Sequence, residues 1–133
     1  MSATAELQIT GVDFVCIPTT DHDRSCVFYG DVLGLPKRAQ WGDRPATEFQ
    51  AGNLTLVVFD PRGFGQQDAA TRSSVPVAAL AVPDVEEARE LLKAKGVQFI
   101  VDWIDSGVCH QALLLDPDGN TLILHHRYAP PTA

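Results

Sequence analysis

Few side chains in this sequence can do acid–base, nucleophilic or metal chemistry, and their spacing is loose. Glu48 stands in an otherwise apolar run, Ala46-Thr47-Glu48-Phe49. A carboxylate facing an apolar hollow is a candidate base, or a counter-charge for a cationic ligand; facing the other way it is an ordinary solvent-side strand residue. The histidines are His22, His110, His125 and His126. His110 opens a strand whose alternation groups it with Ala112 and Leu114, which makes it a second weak acid–base candidate. His22 falls in the first turn of a helix and reads as solvated. Glu48, His110 and His125 could together hold a divalent ion only in an unorthodox arrangement that their spacing does not demand. The cysteines, Cys16, Cys26 and Cys109, are an odd set with no CxxC pair. They read as buried thiols of a reducing cytoplasm, not as a disulfide framework or zinc site. No Gly-rich phosphate loop, GxSxG elbow or HExxH helix is present, and Gly63-Phe64-Gly65 is too short to cradle a phosphate. The aromatic residues offer stacking and area burial instead. Trp41 and Trp103 each end a comparable segment of the chain.

Charge and composition narrow the partners. Lys plus Arg number 10 and Asp plus Glu 17, for a net charge of −7 over 133 residues. Such a balance speaks against nucleic acid, whose phosphates need a basic face. No apolar run approaches the roughly 20 residues of a membrane span. Met1 to Gln8 lacks the basic and apolar regions of a signal peptide, so a cytoplasmic protein is expected. The apolar content of 45% suits one folded domain.

The elements that must position these residues come in two copies. Val12–Asp21 and Val75–Asp84 share one pattern: an apolar strand, then Pro, then Asp before a helical stretch that stops at Gly. Asp21 and Asp84 recur 63 positions apart, and Gly34 and Gly96 62 positions apart. Asp21 and Asp84 are suited to cap helices, because a carboxylate there accepts otherwise unpaired backbone N–H groups. Cys26, Tyr29, Val32 and Leu33 in the first helix, and Val85, Ala88, Leu91 and Leu92 in the second, form apolar stripes at helical spacing. Three strands follow each helix. They are Lys37–Trp41, Ala46–Ala51 and Asn53–Phe59 in the first half. In the second they are Gln98–Trp103, Val108–Leu115 and Asn120–Arg127, with the Asp116-Pro117-Asp118-Gly119 turn between the last two. The prediction is an α+β fold of tandem βαβββ modules: 9–60, a linker or lid over 61–75, and 76–127.

Asp21-His22-Asp23-Arg24-Ser25 running into Phe28-Tyr29-Gly30-Asp31-Val32-Leu33-Gly34-Leu35, the later Asp116-Pro117-Asp118-Gly119-Asn120 and the module repeat resemble the vicinal oxygen chelate superfamily. That family includes glyoxalase I, bleomycin-resistance proteins, fosfomycin-resistance enzymes and extradiol dioxygenases. The resemblance covers about residues 9 to 127. It implies two modules whose sheets curl into a cup-shaped mixed sheet, with four floor positions that carry the metal ligands in the metalloenzymes. Carried over singly, those positions fall on Phe14, Val57, Val77 and Ile123, all without a lone pair to offer a metal. The sequence is thus similar to the branch without metal, whose members use the cup to bind a compound.

The resemblance implies that the cup is lined by Phe14, Cys16, Val57, Phe59 and Val77, with Ile123 and, on the same strand parity, His125 near its rim. Trp41, Glu48, Trp103 and His110 complete the expected ligand-binding set, with no metal and no cofactor. The functional expectation is capture of a hydrophobic or aromatic small molecule, such as an antibiotic or natural product. The alternative is a lyase, isomerase or dioxygenase that uses Glu48, His110 or displaced metal ligands. The family's habit implies a homodimer, in which a second copy covers apolar helix surface and sheet edges.

Overall fold

The computed structural model describes residues 8–10, 12–65 and 76–130. Most of the predicted linker, residues 66–75, lies outside the described residues. The described chain forms two four-stranded sheets of the same design. In the first module β1 (Val15–Pro18) is followed by α1 (His22–Val27), β2 (Lys37–Gln40), β3 (Ala46–Ala51) and β4 (Leu54–Phe59). In the second, β5 (Ala78–Ala81) leads into α2 (Val85–Ala94), then β6 (Phe99–Asp105), β7 (Cys109–Leu115) and β8 (Thr121–Arg127). The strand orders are β1-β4-β3-β2 and β5-β8-β7-β6. β1 pairs in parallel with β4 and β5 with β8, and the remaining pairs are antiparallel. This is the predicted tandem βαβββ arrangement, an α+β fold.

The helix signals work as chemistry requires. The Asp21 side chain accepts from the Arg24 N–H at 3.1 Å, and Asp84 accepts from the Glu87 N–H at 3.0 Å. Gly34 and Gly96 adopt φ of 74° and 85°, the left-handed stop that a side chain would resist. One departure lies inside the first helix. After Val27 the chain widens into a π-helical turn, Phe28–Val32, closed by the Leu33 N–H on the Phe28 carbonyl at 2.9 Å. Adjacent Phe28 and Tyr29 are both buried there. A second departure is Leu91, which is 60% exposed although it continues the apolar stripe of α2. A third is β6, which runs on to Asp105 through two register shifts against β7.

A single core unites the modules. Ile17, Phe49, Leu56 and Val58 of the first sheet meet Ala112, Leu114, Leu122 and Leu124 of the second, with Phe28, Tyr29, Val85 and Leu92 from the helical segments. Both sheets therefore direct their helix-side faces into one interior. Each turns its other face away from that core, by the two-residue alternation of a strand.

Polar bonds lock the modules together where the Asp116–Asn120 turn meets the entry to α1. Tyr29 donates its hydroxyl to buried Asp116 at 2.8 Å, and Asn120 donates to the Pro18 carbonyl at 2.9 Å. Asp118 accepts from the Thr19 hydroxyl at 2.6 Å and from the Thr20 N–H and hydroxyl at 2.9 and 2.8 Å. Burial and the neighbouring Asp116 carboxylate push the Tyr29 phenol far above its ordinary pKa, so it stays a donor. The Asp-Pro-Asp-Gly-Asn turn is thus a clamp between modules.

Candidate functional site: an aromatic face with one carboxylate

The outward face of the first sheet gathers most of the predicted site. Cys16 lies beside Val57, and Val57 beside Glu48, in one row across three strands. Their neighbours along the strands, Ile17, Leu56, Val58 and Phe49, belong to the core, which fixes the row on the opposite side. Phe59 shares that side two residues beyond Val57. Phe14, just before β1, stacks edge-to-face on Trp41 with ring centroids 5.6 Å apart. Trp41 in turn meets Phe64 at 6.3 Å, and Phe64 meets Phe59 at 6.1 Å. Four rings form a continuous wall. Val57 has no exposed surface although it faces outward, so its neighbours cover it.

Glu48 is the acid of this face. The Trp41 indole N–H donates to its Oε2 at 2.7 Å. That bond fixes both the carboxylate and the plane of the indole. The Arg44 guanidinium sits 5.0 Å from the centre of the Phe64 ring, a cation–π contact. Cys16 is exposed, not buried as expected, and partial desolvation of its sulfur raises its pKa. A raised pKa leaves it mostly as the less nucleophilic thiol.

The remaining predicted residues are distributed differently. Ile123 and His125 lie on the outward face of the second sheet, paired with Leu113 and Gln111. Val77 precedes β5, partly buried against the shared core. His110 lies on the helix-side parity with Ala112 and Leu114, so it does not join that face. Trp103 stacks on His110 at 4.5 Å, and His110 on Tyr128 at 4.5 Å, which places Trp103 with this second cluster. Asp105 faces His110 Nε2 at 3.6 Å and accepts the Tyr128 hydroxyl at 2.8 Å. Glu48 and His110 stand on separate sheets, Glu48 on an outward face and His110 on the helix-side parity. His22 is a correction as well: it is largely covered, its Nε2 lying 2.8 Å from Thr47 Oγ1 and 3.4 Å from Cys26 Sγ. Thr47 gives its own proton to Gln40 at 2.6 Å, so His22 Nε2 is the donor in the first contact.

Phe64 and Arg44 were not in the predicted set. Phe64 reaches the wall on a 3₁₀ turn, Pro61–Phe64, capped by the Asp60 side chain. The turn lies so close to the β2–β3 connection that a Cβ on Gly63 would come within 2.5 Å of Pro45. The Asp60-Pro61 pair is an available signal for such a turn, a capping carboxylate followed by Pro at the first helical position.

A cavity of about 540 Å³ lies elsewhere. Val32, Leu35, Leu54, Leu80, Val82 and Leu91 line it between the first module and the β5–α2 segment, with Lys95 as its one charged residue. Lys95 donates to the Val32 carbonyl at 3.2 Å. The lining is aliphatic and offers neither a ring to stack on nor a carboxylate.

The positions that the resemblance assigns to a metal are apolar in this chain. Phe14, Val57, Val77 and Ile123 carry no ligand atoms, and among the described residues no three His, Cys, Asp or Glu side chains converge as a metal site. No helix among the described residues is long and apolar enough to cross a membrane.

Solved structures share this architecture. TnmS3, an antibiotic binding protein from Streptomyces sp. CB03234, superposes with a TM-score of 0.75 at 22% identity, over 92% of this chain and 99% of that one. UcmS2 gives 0.74 at 20% identity, over 89% and 98%. A lactoylglutathione lyase from Agrobacterium tumefaciens gives 0.70 at 19% identity, over 88% and 93%. At such identities the likeness is one of fold. No curated protein matches the chain in sequence. Residues 11–124 match the sequence profile of one family, and the chain therefore belongs to the Glyoxalase/Bleomycin resistance protein/Dioxygenase superfamily.

Proposed function

We propose that the protein binds a hydrophobic, planar small molecule on the aromatic face of its first sheet, without a metal, and does no chemistry on it. The observation that carries this reading is the ring wall of Phe14, Trp41, Phe59 and Phe64 around a carboxylate held by an indole N–H. Flat rings stack on aromatic side chains, and apolar area removed from water supplies roughly 25 cal/mol per Å² before the costs of association. The apolar residues at the family's metal positions support the same reading. So does the family itself, in which an antibiotic binding protein shares the fold.

The working unit is a homodimer in this reading. Each sheet turns its outward face away from the common core, where Phe14, Ala79 and Ala81 are exposed. β1 and β5 stand at the sheet edges, each with its outer side unpaired among the described residues. A second copy laid against these edges would close a hollow over the wall and bring Ile123 and His125 to face it. Light scattering is expected to give twice the 14.4 kDa chain mass; a monomer at high concentration would contradict the dimer.

The test of binding is a melting-temperature screen with planar aromatic compounds. A ligand present at 100 times its Kd stabilises the fold by about 2.7 kcal/mol, a shift of several degrees for a chain of this size. Trp41→Ala is expected to abolish the shift. A broad panel with no effect on the wild-type protein would overturn the proposal.

A further inference from the structure

Resting on the binding reading above, we infer that the ligand is a cation: a planar aromatic carrying a protonated amine or amidine-type group, whose charge is received by Glu48 and whose ring lies on the Trp41–Phe64 wall. Three observations carry it. First, the Trp41 N–H occupies Oε2 of Glu48 alone, and Oε1 of the same carboxylate has no hydrogen-bond partner among the described residues. Glu48 forms no ion pair with any described Lys or Arg. A half-buried carboxylate fixed on one side and open on the other is a preformed acceptor for an N–H⁺ donor.

Second, the wall already attracts positive charge. Arg44 places its guanidinium over the Phe64 ring and has no carboxylate partner among the described residues, so the ring face is what holds it there. The guanidinium covers a face of the Phe64 ring on which the ligand's aromatic system would lie. It sits on the short exposed connection between β2 and β3, from which it can swing away. Third, the chain carries a net charge of −7, a field that gathers cations and repels anions over the whole surface. An anionic aromatic compound would have to bring its charge beside Glu48 without compensation.

The roles then separate. Phe14, Phe59 and Phe64 supply area to any flat ligand. Glu48 discriminates by charge, and Trp41 does both, through its ring and through the N–H that aims the carboxylate. Arg44 is a resident competitor whose displacement is part of the binding equilibrium.

Isothermal titration with two dyes of nearly equal shape tests this: 9-aminoacridine, a cation at neutral pH, and acridone, which is neutral. The wild-type protein is expected to bind the cation at least tenfold tighter than the neutral dye, and raised salt is expected to narrow that ratio. Glu48→Gln should bring the ratio close to one. Arg44→Ala, on an exposed turn where folding is not at stake, should tighten 9-aminoacridine binding several-fold. Equal binding of both dyes by the wild-type protein, or a ratio that survives Glu48→Gln, would overturn the charge assignment and leave the binding reading standing. Loss of 9-aminoacridine affinity in Arg44→Ala would also overturn it, since Arg44 would then be a partner of the dye and not its competitor. Failure of both dyes to bind the wild-type protein would defeat the binding reading itself.

Discussion

Tyr29 shows how much one side chain does at the junction of the modules. It has no exposed surface, its ring packs among core residues of both sheets, and its hydroxyl ends on Asp116, 87 residues away. Tyr29→Phe removes the donor and leaves the ring. It removes one of two donors to Asp116 Oδ2, which keeps the Asn120 side-chain N–H at 2.9 Å, and the loss of this charge-assisted bond costs about 1–3 kcal/mol. Urea denaturation should show a lower midpoint with an unchanged slope, and ligand binding at the distant wall should be unaffected. An unchanged midpoint would show that the bond contributes nothing net. At this scale the sequence was partly legible. The apolar character of Phe14, Val57 and Ile123 was plain from residue type, and Glu48 stood out against its apolar neighbours. The partners of His22 and His110 were not legible. They come from Thr47, Asp105, Trp103 and Tyr128, which pairing and packing bring near, and no local pattern encodes those approaches.

The elements were read best where a local rule suffices. Asp caps, Gly stops and the strand runs belong to this class, and strand ends differ from the structure by a residue or two, the range over which ends fray. The π turn at Phe28–Val32 and the register shifts of β6 were missed because hydrophobic periodicity carries no term for an extra residue. The Pro61–Phe64 turn was missed although Asp60-Pro61 signals one locally; only its packing depends on a tertiary contact. Arg62 donates to both oxygens of Asp60, through Nε at 3.0 Å and Nη2 at 2.6 Å, and reaches the Thr20 carbonyl at 2.7 Å. The hydrogen bonds from Arg62 hold the Asp60 carboxyl below its ordinary range. A carboxylate with a depressed folded-state pKa stabilises the fold above its unfolded pKa, near 3.9, and that stabilisation fades as pH falls through the depressed value. Asp60→Asn is therefore expected to lower the melting temperature by a few degrees at pH 7. The gap from wild type should close as pH falls below the unfolded value and through the depressed one. A gap independent of pH would assign the effect to lost capping geometry instead of charge.

At the scale of the whole molecule, the tandem repeat and the family resemblance gave the architecture, while the arrangement of the two modules had to come from the structure. A repeat states that each module has a helix side and an outward side, but not which sides face each other. Here the helix sides share the core, so the predicted lining residues divide between two outward faces of one chain. Phe14, Cys16, Trp41, Glu48, Val57 and Phe59 lie on one of them, Ile123 and His125 on the other, and Trp103 and His110 on neither, while Val77 packs against the shared core. Ligand is consequently expected at the first-sheet wall, not in the aliphatic cavity beside α2. Two-dimensional NMR of the ¹⁵N-labelled protein titrated with 9-aminoacridine and acridone tests that directly. The Trp41 indole N–H and the amides of Phe14, Val57 and Glu48 are expected to shift together and saturate together. Shifts confined to Val32, Leu35, Leu80 and Leu91 around the aliphatic cavity, with the Trp41 indole unmoved, would contradict it.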